Sequence, residues 1–134
     1  MASEFQLSIL TPERTVFEGA VEYVQVPGSE GYLGVLAHHA PLITPLRPGR
    51  LDVRDTAGVE SSYAVSGGFL EVSANRATVL ADTAERVDEI DRTRAEASLK
   101  RAEARLTDAP RDVDRGRAQR SLERAKNRLA ISKG

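Results

Sequence analysis

Near residue 88 the apolar residues of this 134-residue chain change their spacing, so the chain must form two kinds of secondary structure. Before that point apolar and polar residues alternate, and in "FQLSIL" Phe5, Leu7 and Ile9 fall on one face of a strand. After it apolar residues recur every three or four positions, which places them on one side of a helix. The two patterns predict a β domain over residues 1–86 and a helical segment over residues 87–134.

Several short runs in the first part predict an antiparallel β-sandwich or a flattened barrel. They are "FQLSIL", "VEYVQV", "LDVRD", "SSYAVS", "FLEVS" and "ATVLAD". Turn-forming pairs such as Gly67-Gly68 and Ala74-Asn75 separate them. In "VEYVQV", strict alternation predicts that Val21, Tyr23 and Gln25 share one face of the strand.

The second part predicts an antiparallel two-helix hairpin. Its apolar residues form two stripes with spacings of 4, 3 and 4, namely Ala95, Leu99, Ala102 and Leu106, then Ala118, Leu122, Ala125 and Leu129. Between them Pro110 is expected to end one helix, and Asp112 or Asp114 to begin the next. Alanine buries little surface, and apolar burial contributes roughly 25 cal/mol per Å². The helix–helix interface should therefore be weak, and the hairpin able to open.

Charge is distributed unevenly between the two parts. Residues 1–84 carry 5 basic and 10 acidic residues, a net charge of −5, whereas residues 85–134 carry 14 and 10, a net charge of +4. This asymmetry indicates that the two parts meet different surfaces. With no cysteine, neither a disulfide framework nor a thiolate metal site is expected. No secretory signal or membrane span is expected either, because no basic segment precedes an apolar run and no apolar run approaches 18 residues.

Nothing in the sequence predicts catalysis or a metal site. It contains no GxxxxGK[ST] loop, no GxGxxG after a strand, no HExxH and no GxSxG. The two histidines, His38 and His39, are adjacent and would point to opposite sides of a strand. "SGGF" predicts only a turn or bulge that glycine permits. A small enzyme is therefore disfavoured, and so is a free nucleic-acid-binding module, because the β part is acidic and the tail lacks aromatic residues.

The histidines lie in a long segment, "EGYLGVLAHHAPLITPLRPG", which mixes glycine, proline and apolar residues. One interpretation is a protein-docking loop that uses Tyr32, Leu36 and His39. The alternative is an ordinary connection with a histidine packed in the core.

The helices carry a basic side beside their apolar stripes. On the first helix Asp91, Arg94, Ser98 and Arg101 share one face, and on the second Arg117, Arg120, Arg124 and Arg128 lie within about 80° of one another. Clustered arginines repel each other, so an anion or an acidic partner surface would stabilise them. The alternatives are a solvated helix face, a local Asp91–Arg94 ion pair, and a helix start at which Asp88 or Asp91 serves as the cap.

The order of these motifs resembles that of the epsilon subunits of bacterial ATP synthases, called delta in mitochondria. The stretches that carry the resemblance are "SILTPERTVFEG", "VPGSEGYLGVLAHHAPLITPLRPG", "YAVSGGFLEV" and "ATVLADTAE", followed by the two-helix tail. They cover essentially the whole chain. Two positions depart from the common pattern: Ala37-His38 stands where many members have Pro-Gly, and Tyr32 stands where relatives often carry an acidic or polar residue.

The resemblance implies a non-catalytic rotor subunit in the central stalk of a proton- or sodium-driven ATP synthase. Such a subunit binds the gamma subunit and the c-ring, couples the catalytic head to the ring and restrains ATP hydrolysis. Its hairpin is either folded or extended into the head, where it meets the alpha and beta subunits. The implied location is the cytoplasmic face of the bacterial plasma membrane, with membrane contact only through the complex and no nucleic-acid partner. Docking to gamma and the c-ring is assigned to Glu30, Tyr32, Leu36 and His39.

The resemblance also implies a regulatory ATP site, with no required cofactor. The family motif [IL]DxxRA matches residues 90–95 in full, and in nucleotide-binding members it contacts ATP when the hairpin is folded. The residues implied are Glu85, Ile90, Asp91, Arg94, Ala95, Arg101, Arg117, Arg124 and Arg128. By position Glu85 would face the adenine, and the arginines would surround the phosphates, whose oxygens suit the guanidinium fork.

Overall fold

The computed structural model describes residues 3–107 and 115–133. The chain divides into two compact units, Met1–Arg86 and Val87–Gly134. The described part of the first unit contains nine strands: β1 (Phe5–Leu10), β2 (Thr15–Gly28), β3 (Gly31–Val35), β4 (Leu42–Pro45), β5 (Gly49–Asp55), β6 (Glu60–Val65), β7 (Gly68–Ser73), β8 (Arg76–Ala81) and β9 (Ala84–Arg86). The second contains a 3-10 turn (Val87–Glu89), α1 (Arg92–Thr107) and α2 (Arg115–Lys133).

The strands form one sheet that folds over itself as a β-sandwich, in the order β4-β7-β8-β1-β2-β5-β6-β9, with β3 paired to β2. The predicted sandwich followed by a two-helix hairpin is thus confirmed. Neighbouring strands of the described sheet run antiparallel, except that β1 and β8 run parallel. Because these two strands are far apart in sequence, no hairpin connection fixes their relative direction.

β2 is the corner of the sandwich, and its 14 residues exceed any single alternating run in the sequence. Its first part pairs with β1, and its second part pairs with β3 and β5. The register of β2 against β5 shifts between Val21 and Tyr23. Val21, Val24 and Val26 are therefore buried, while Tyr23 and Gln25 are not. The prediction that Val21, Tyr23 and Gln25 share one face was wrong, because a bulge between Val21 and Tyr23 reverses the alternation of buried and exposed side chains.

The core of the sandwich consists of the inward residues of both layers. Leu7, Ile9, Leu51, Leu70 and Val79 are among its fully buried side chains. β1 has the predicted alternation, with Phe5, Leu7 and Ile9 buried.

The predicted turn at "SGGF" is confirmed by the backbone at the start of β7. Gly67 and Gly68 have φ of 74° and 107°, which residues with a side chain rarely adopt. A β-carbon on Gly68 would overlap the Leu80 carbonyl oxygen and lie 2.8 Å from Ala81 Cα. Glycine at position 68 thus allows β7 and β8 to approach closely at this point.

The hairpin packs through the predicted stripes. Ala95 and Ala102 on α1 are buried, as are Ala118, Leu122 and Ala125 on α2. The two helices pack against one another, and the 3-10 turn also contacts α2. Ile131 is buried as well, although its position on the helix is opposite to that of Leu122, so the stripe alone did not predict it.

Pro110, Asp112 and Asp114, which were predicted to separate the two helices, lie outside the described residues. Neither α1 nor α2, as far as the structure describes them, is long and apolar enough to cross a membrane.

Candidate functional site

Asp91 is the N-cap of α1. Its Oδ1 accepts a hydrogen bond from the Arg94 backbone N–H at 3.0 Å, and its carbonyl oxygen accepts one from Ala95 N–H at 2.9 Å. A side-chain oxygen that satisfies a free N–H of the first turn is what an N-cap provides. The capping prediction for Asp91 is confirmed, and its contact with Arg94 is made to the backbone. Ile90 N–H donates to the Val87 carbonyl at 3.3 Å, so the preceding turn is closed as well.

Within the residues that the structure describes, each helix carries a hydrogen-bonded serine–arginine pair on its basic side. Arg101 Nη2 donates to Ser98 Oγ at 3.0 Å, and Arg124 Nη2 donates to Ser121 Oγ at 3.1 Å. A guanidinium group donates up to five hydrogen bonds, so each of these arginines keeps donors for a further partner. Arg94 is exposed nearby, at the start of α1.

The two pairs are equivalent because the helices share an internal repeat. The pattern RAxxSLxRAxxRL occurs at residues 94–106 and again at residues 117–129. It relates Ser98 to Ser121 and Arg101 to Arg124. The stripes predicted from the sequence are one part of this repeat, and the basic residues are the other.

The repeat also decides on which side of the hairpin the arginines lie. On both helices the basic residues follow a line rotated by about 100° to 125°, in the same sense, from the apolar stripe. In an antiparallel pair, two helices that pack through equivalent stripes are related by a two-fold axis. This axis is perpendicular to the plane that contains both helix axes, so it exchanges the helices without exchanging the two sides of that plane. Equal rotations therefore place both basic lines on one side. The N-terminal half of α1 lies beside the C-terminal half of α2 in such a pair, so Arg94 and Arg101 are expected on the same side of the hairpin as Arg124 and Arg128.

Two predicted members of the site differ from the others in their placement. Glu85 belongs to the first unit, where it lies half-buried on β9 opposite Ala64. Arg117 lies in the first part of α2, and so at the opposite end of the hairpin from Arg94. The prediction omitted Arg105, which is exposed and corresponds to Arg128 in the repeat. The repeat was the signal that would have identified it.

The predicted docking residues lie along β3 and the loop after it. Glu30 is exposed at the β2–β3 turn, Tyr32 is 57% exposed on β3, and Leu36 is 59% exposed just after this strand ends. His39 is partly exposed in the loop of residues 36–41, and its Nδ1 lies 2.7 Å from the Ala40 carbonyl oxygen. Neither histidine is buried, which removes the alternative of a core-packed histidine.

A second exposed surface, which the sequence reading missed, crosses four strands of the sandwich. The cross-strand pairs are Pro45 with Phe69, Phe69 with Leu80, and Leu80 with Leu10, so these outward-facing side chains form one row. Phe69 and Leu80 are 53% and 48% exposed. We call Leu10, Pro45, Phe69 and Leu80 the apolar row. A shallow groove along it also includes Pro12.

Apolar side chains in contact on an exposed sheet face are typical of a protein–protein interface. The sequence signal was the apolar residue at the outward positions of "FLEVS" and "VLAD", but it becomes meaningful only when the strand order brings these positions together. Ile43, at the next outward position on β4, is 70% exposed and extends this surface.

Comparison with known proteins shows which family each of the two units matches. Residues 4–87 match the family described as ATP synthase, Delta/Epsilon chain, beta-sandwich domain, and residues 88–133 match ATP synthase, Delta/Epsilon chain, long alpha-helix domain. The chain belongs to the ATP synthase delta/epsilon family. The resemblance drawn from the motifs is thereby confirmed.

Curated members of the delta/epsilon family are close in sequence. The chain is 51% identical over 106 residues to the ATP synthase epsilon chain of Desulforamulus reducens, which covers 79% of this chain and 80% of that protein. It is 52% identical over 103 residues to the epsilon chain of Herpetosiphon aurantiacus, covering 77% and 75%. An epsilon chain is a structural and regulatory subunit of ATP synthase and is not itself catalytic.

Solved structures of ATP synthases contain chains with this fold. One is a chain of the Euglena gracilis mitochondrial ATP synthase, OSCP/F1/c-ring, with a TM-score of 0.80 and 25% identity; the alignment covers 96% of this chain and 81% of that one. Another is a chain of the Tetrahymena thermophila mitochondrial ATP synthase central stalk and c-ring, with a TM-score of 0.58 and 17% identity, covering 96% and 92%. The second likeness concerns the fold alone.

Proposed function

We propose that this delta/epsilon chain is a rotor subunit that couples the catalytic head of an ATP synthase to its c-ring. The observation that carries the proposal is the likeness, over nearly the whole chain, to a chain of a solved F1/c-ring complex. Its direct partners would be the gamma subunit and the c-ring. It would lie at the cytoplasmic face of the bacterial plasma membrane, held there through the complex, and the coupling ion would be a proton or sodium.

The sandwich offers two surfaces for these partners. One comprises Glu30, Tyr32, Leu36 and His39, and the other is the apolar row. The row supports a partner that buries apolar side chains, because half-exposed Phe69 and Leu80 would each lose contact with water in such an interface. We assign the gamma subunit to this row.

The gamma assignment is tested by replacing both Phe69 and Leu80 with serine. Because the side chains are about half exposed, the sandwich should remain folded, while co-purification with the gamma subunit should fall at least tenfold. Val59→Ser is the matched control, since Val59 is 61% exposed in the turn between β5 and β6 and lies outside the row. Undiminished co-purification of the double variant would reject this assignment.

The hairpin is proposed to inhibit ATP hydrolysis when it opens and extends toward the alpha and beta subunits. The supporting observation is that four of the five buried stripe residues are alanines, which allows the helices to separate at a small free-energy cost. An element with two arrangements of similar free energy is what such a switch requires.

Removing residues 87–134 tests the inhibitory role. The truncated chain keeps every strand of the sandwich and should still assemble. The ATP hydrolysis rate of the assembled complex should rise, because the inhibitory element is absent. An assembled complex that hydrolyses ATP at the unchanged rate would contradict the proposal.

ATP is proposed to bind the basic side of the folded hairpin through the motif at residues 90–95. Support comes from the Asp91 cap, which fixes the start of α1, and from the placement of arginines of both helices on one side. A triphosphate would hydrogen-bond to arginines from both helices and would thereby stabilise the folded arrangement over the open one. Glu85 would contact the adenine, as the family pattern implies.

Calorimetric titration of the full chain with ATP tests this site. Arg94→Ala should weaken binding by about 10-fold to 100-fold, as expected for loss of hydrogen bonds to a charged group. Arg92→Ala is the matched control, because Arg92 points away from the basic side and lies 3.9 Å from Glu96. If the unmodified chain gives no heat at millimolar ATP, the site does not exist.

A further inference from the structure

Asn75 links three segments of the sandwich through its own polar atoms. It lies in the turn between β7 and β8, where its Oδ1 accepts a hydrogen bond from the His38 backbone N–H at 2.8 Å. Its Nδ2 donates to the Glu4 carbonyl oxygen at 3.0 Å, and its own carbonyl oxygen accepts a bond from Gln6 N–H at 3.3 Å. The bonded segments are far apart in sequence, so these bonds fix tertiary structure.

The residue held by Asn75 has an unusual backbone conformation. His38 has φ of 64°, in the left-handed region that residues with a β-carbon rarely occupy. This backbone conformation of His38 belongs to a turn of the loop. The turn is closed by a hydrogen bond from His39 N–H to the Leu36 carbonyl oxygen at 3.3 Å. The hydrogen bond from His38 to Asn75 therefore holds the loop in a conformation that it would not favour alone.

We infer that Asn75 is a positioning residue that holds the loop of residues 36–41 in the conformation in which Leu36 and His39 meet a partner subunit. This inference rests on the proposed docking role of that loop. Asn75 acts through His38 and needs no contact with the partner. A loop held in its binding conformation before association binds more tightly, because the bound state loses less conformational freedom.

The chemistry of asparagine fits this position better than that of other residues. Its side chain both accepts and donates, and it tolerates the left-handed conformation found here, with φ of 58°. Aspartate would keep the acceptor for His38 but lose the donor to Glu4. Glycine would accommodate the backbone and lose both bonds. The neighbouring Ala74 has φ of 52°, so Ala74→Gly relaxes the same turn without removing a hydrogen bond.

The test compares Asn75→Gly, Asn75→Asp and Ala74→Gly in the full chain, with two measurements. Amide hydrogen exchange at His38 reports the bond, and competition with the unmodified chain for assembly into the complex reports docking. Asn75→Gly should speed His38 exchange about tenfold and reduce the assembly affinity about fivefold to tenfold. Asn75→Asp should leave the His38 amide protected from hydrogen exchange, and its assembly affinity should lie within about twofold of that of the unmodified chain. Ala74→Gly should change neither measurement.

The outcomes distinguish this inference from the proposed docking role on which it rests. The double substitution Leu36→Ser with His39→Ala removes the side chains that meet the partner, and unchanged assembly there would reject the docking role itself. If that double variant assembles poorly while Asn75→Gly assembles normally, the docking role stands and the positioning role is wrong. Equal losses in Asn75→Gly and Ala74→Gly, or in Asn75→Gly and Asn75→Asp, would also overturn it, because the His38 bond would then not be the cause.

Discussion

Leu122 should contribute more than any other buried stripe residue to the stability of the folded hairpin. Ala95, Ala102, Ala118 and Ala125, the other buried stripe residues, each bury one methyl group, whereas Leu122 is only 8% exposed. Leu122→Ala removes three buried carbon atoms and leaves space between the helices. At the usual cost of such truncations the free energy of hairpin opening should fall by about 2–3 kcal/mol. The closed-to-open ratio should then fall by about 30-fold to 160-fold.

Amide hydrogen exchange in the full chain measures this change directly. Amides of α1 and α2 should exchange faster in Leu122→Ala by that factor, while the amides of buried strands such as β1 should keep their rates. The exchange of each unit can be followed separately, because the strands and the helices form distinct compact units.

Leu99 is the matched control, because it occupies the repeat position equivalent to Leu122 and is only partly buried. Leu99→Ala should accelerate exchange less than Leu122→Ala does, because Leu99 is more exposed than Leu122 and its truncation removes less buried side-chain surface. Equal acceleration in the two variants, or less than about threefold in Leu122→Ala, would refute the argument that this leucine dominates a weak interface.

Three further predictions concern single residues. His38→Gly should stabilise the sandwich by about 0.5–1 kcal/mol, because glycine adopts the left-handed backbone without strain; thermal unfolding measures this, and a lower melting temperature would contradict it. Asp91→Ala should destabilise α1 by about 1 kcal/mol, and Asp91→Asn by only a few tenths of a kcal/mol, because asparagine also caps helices. Circular dichroism compares the helix content of the two variants, and equal losses of helix content would argue against the cap. Gly68→Ala should destabilise the sandwich by more than about 3 kcal/mol in urea unfolding, because its β-carbon would overlap the Leu80 carbonyl; a loss below 1 kcal/mol would show that the strands adjust.

Much of the hairpin was predictable because a helix maps sequence onto space by a fixed rotation per residue. The stripes at Ala95 and Ala118, and the cap at Asp91, required only that rotation and the hydrogen-bonding capacity of a carboxylate. Ile131 was not predictable in this way, because it lies on the side of α2 opposite to the stripe and is nevertheless buried.

The strands were predicted less completely, because which side chains of a strand face the core depends on the strands that pair with it. β1 followed simple alternation, whereas in β2 the bulge after Val21 reversed the faces of Tyr23 and Gln25. No local property of "VEYVQV" indicates that bulge, which arises where the strand passes from one layer of the sandwich to the other.

By itself the sequence determined the fold class, the change from strands to helices near residue 88, the basic side of the hairpin and, through its motifs, the family. Each of these follows from local periodicity or from runs of adjacent residues. Only the tertiary structure decided the apolar row, where strand order brings Phe69 and Leu80 side by side, and the bond between Asn75 and His38. These contacts join residues from separate segments, so their geometry depends on the register of the whole sheet, and no local pattern encodes it.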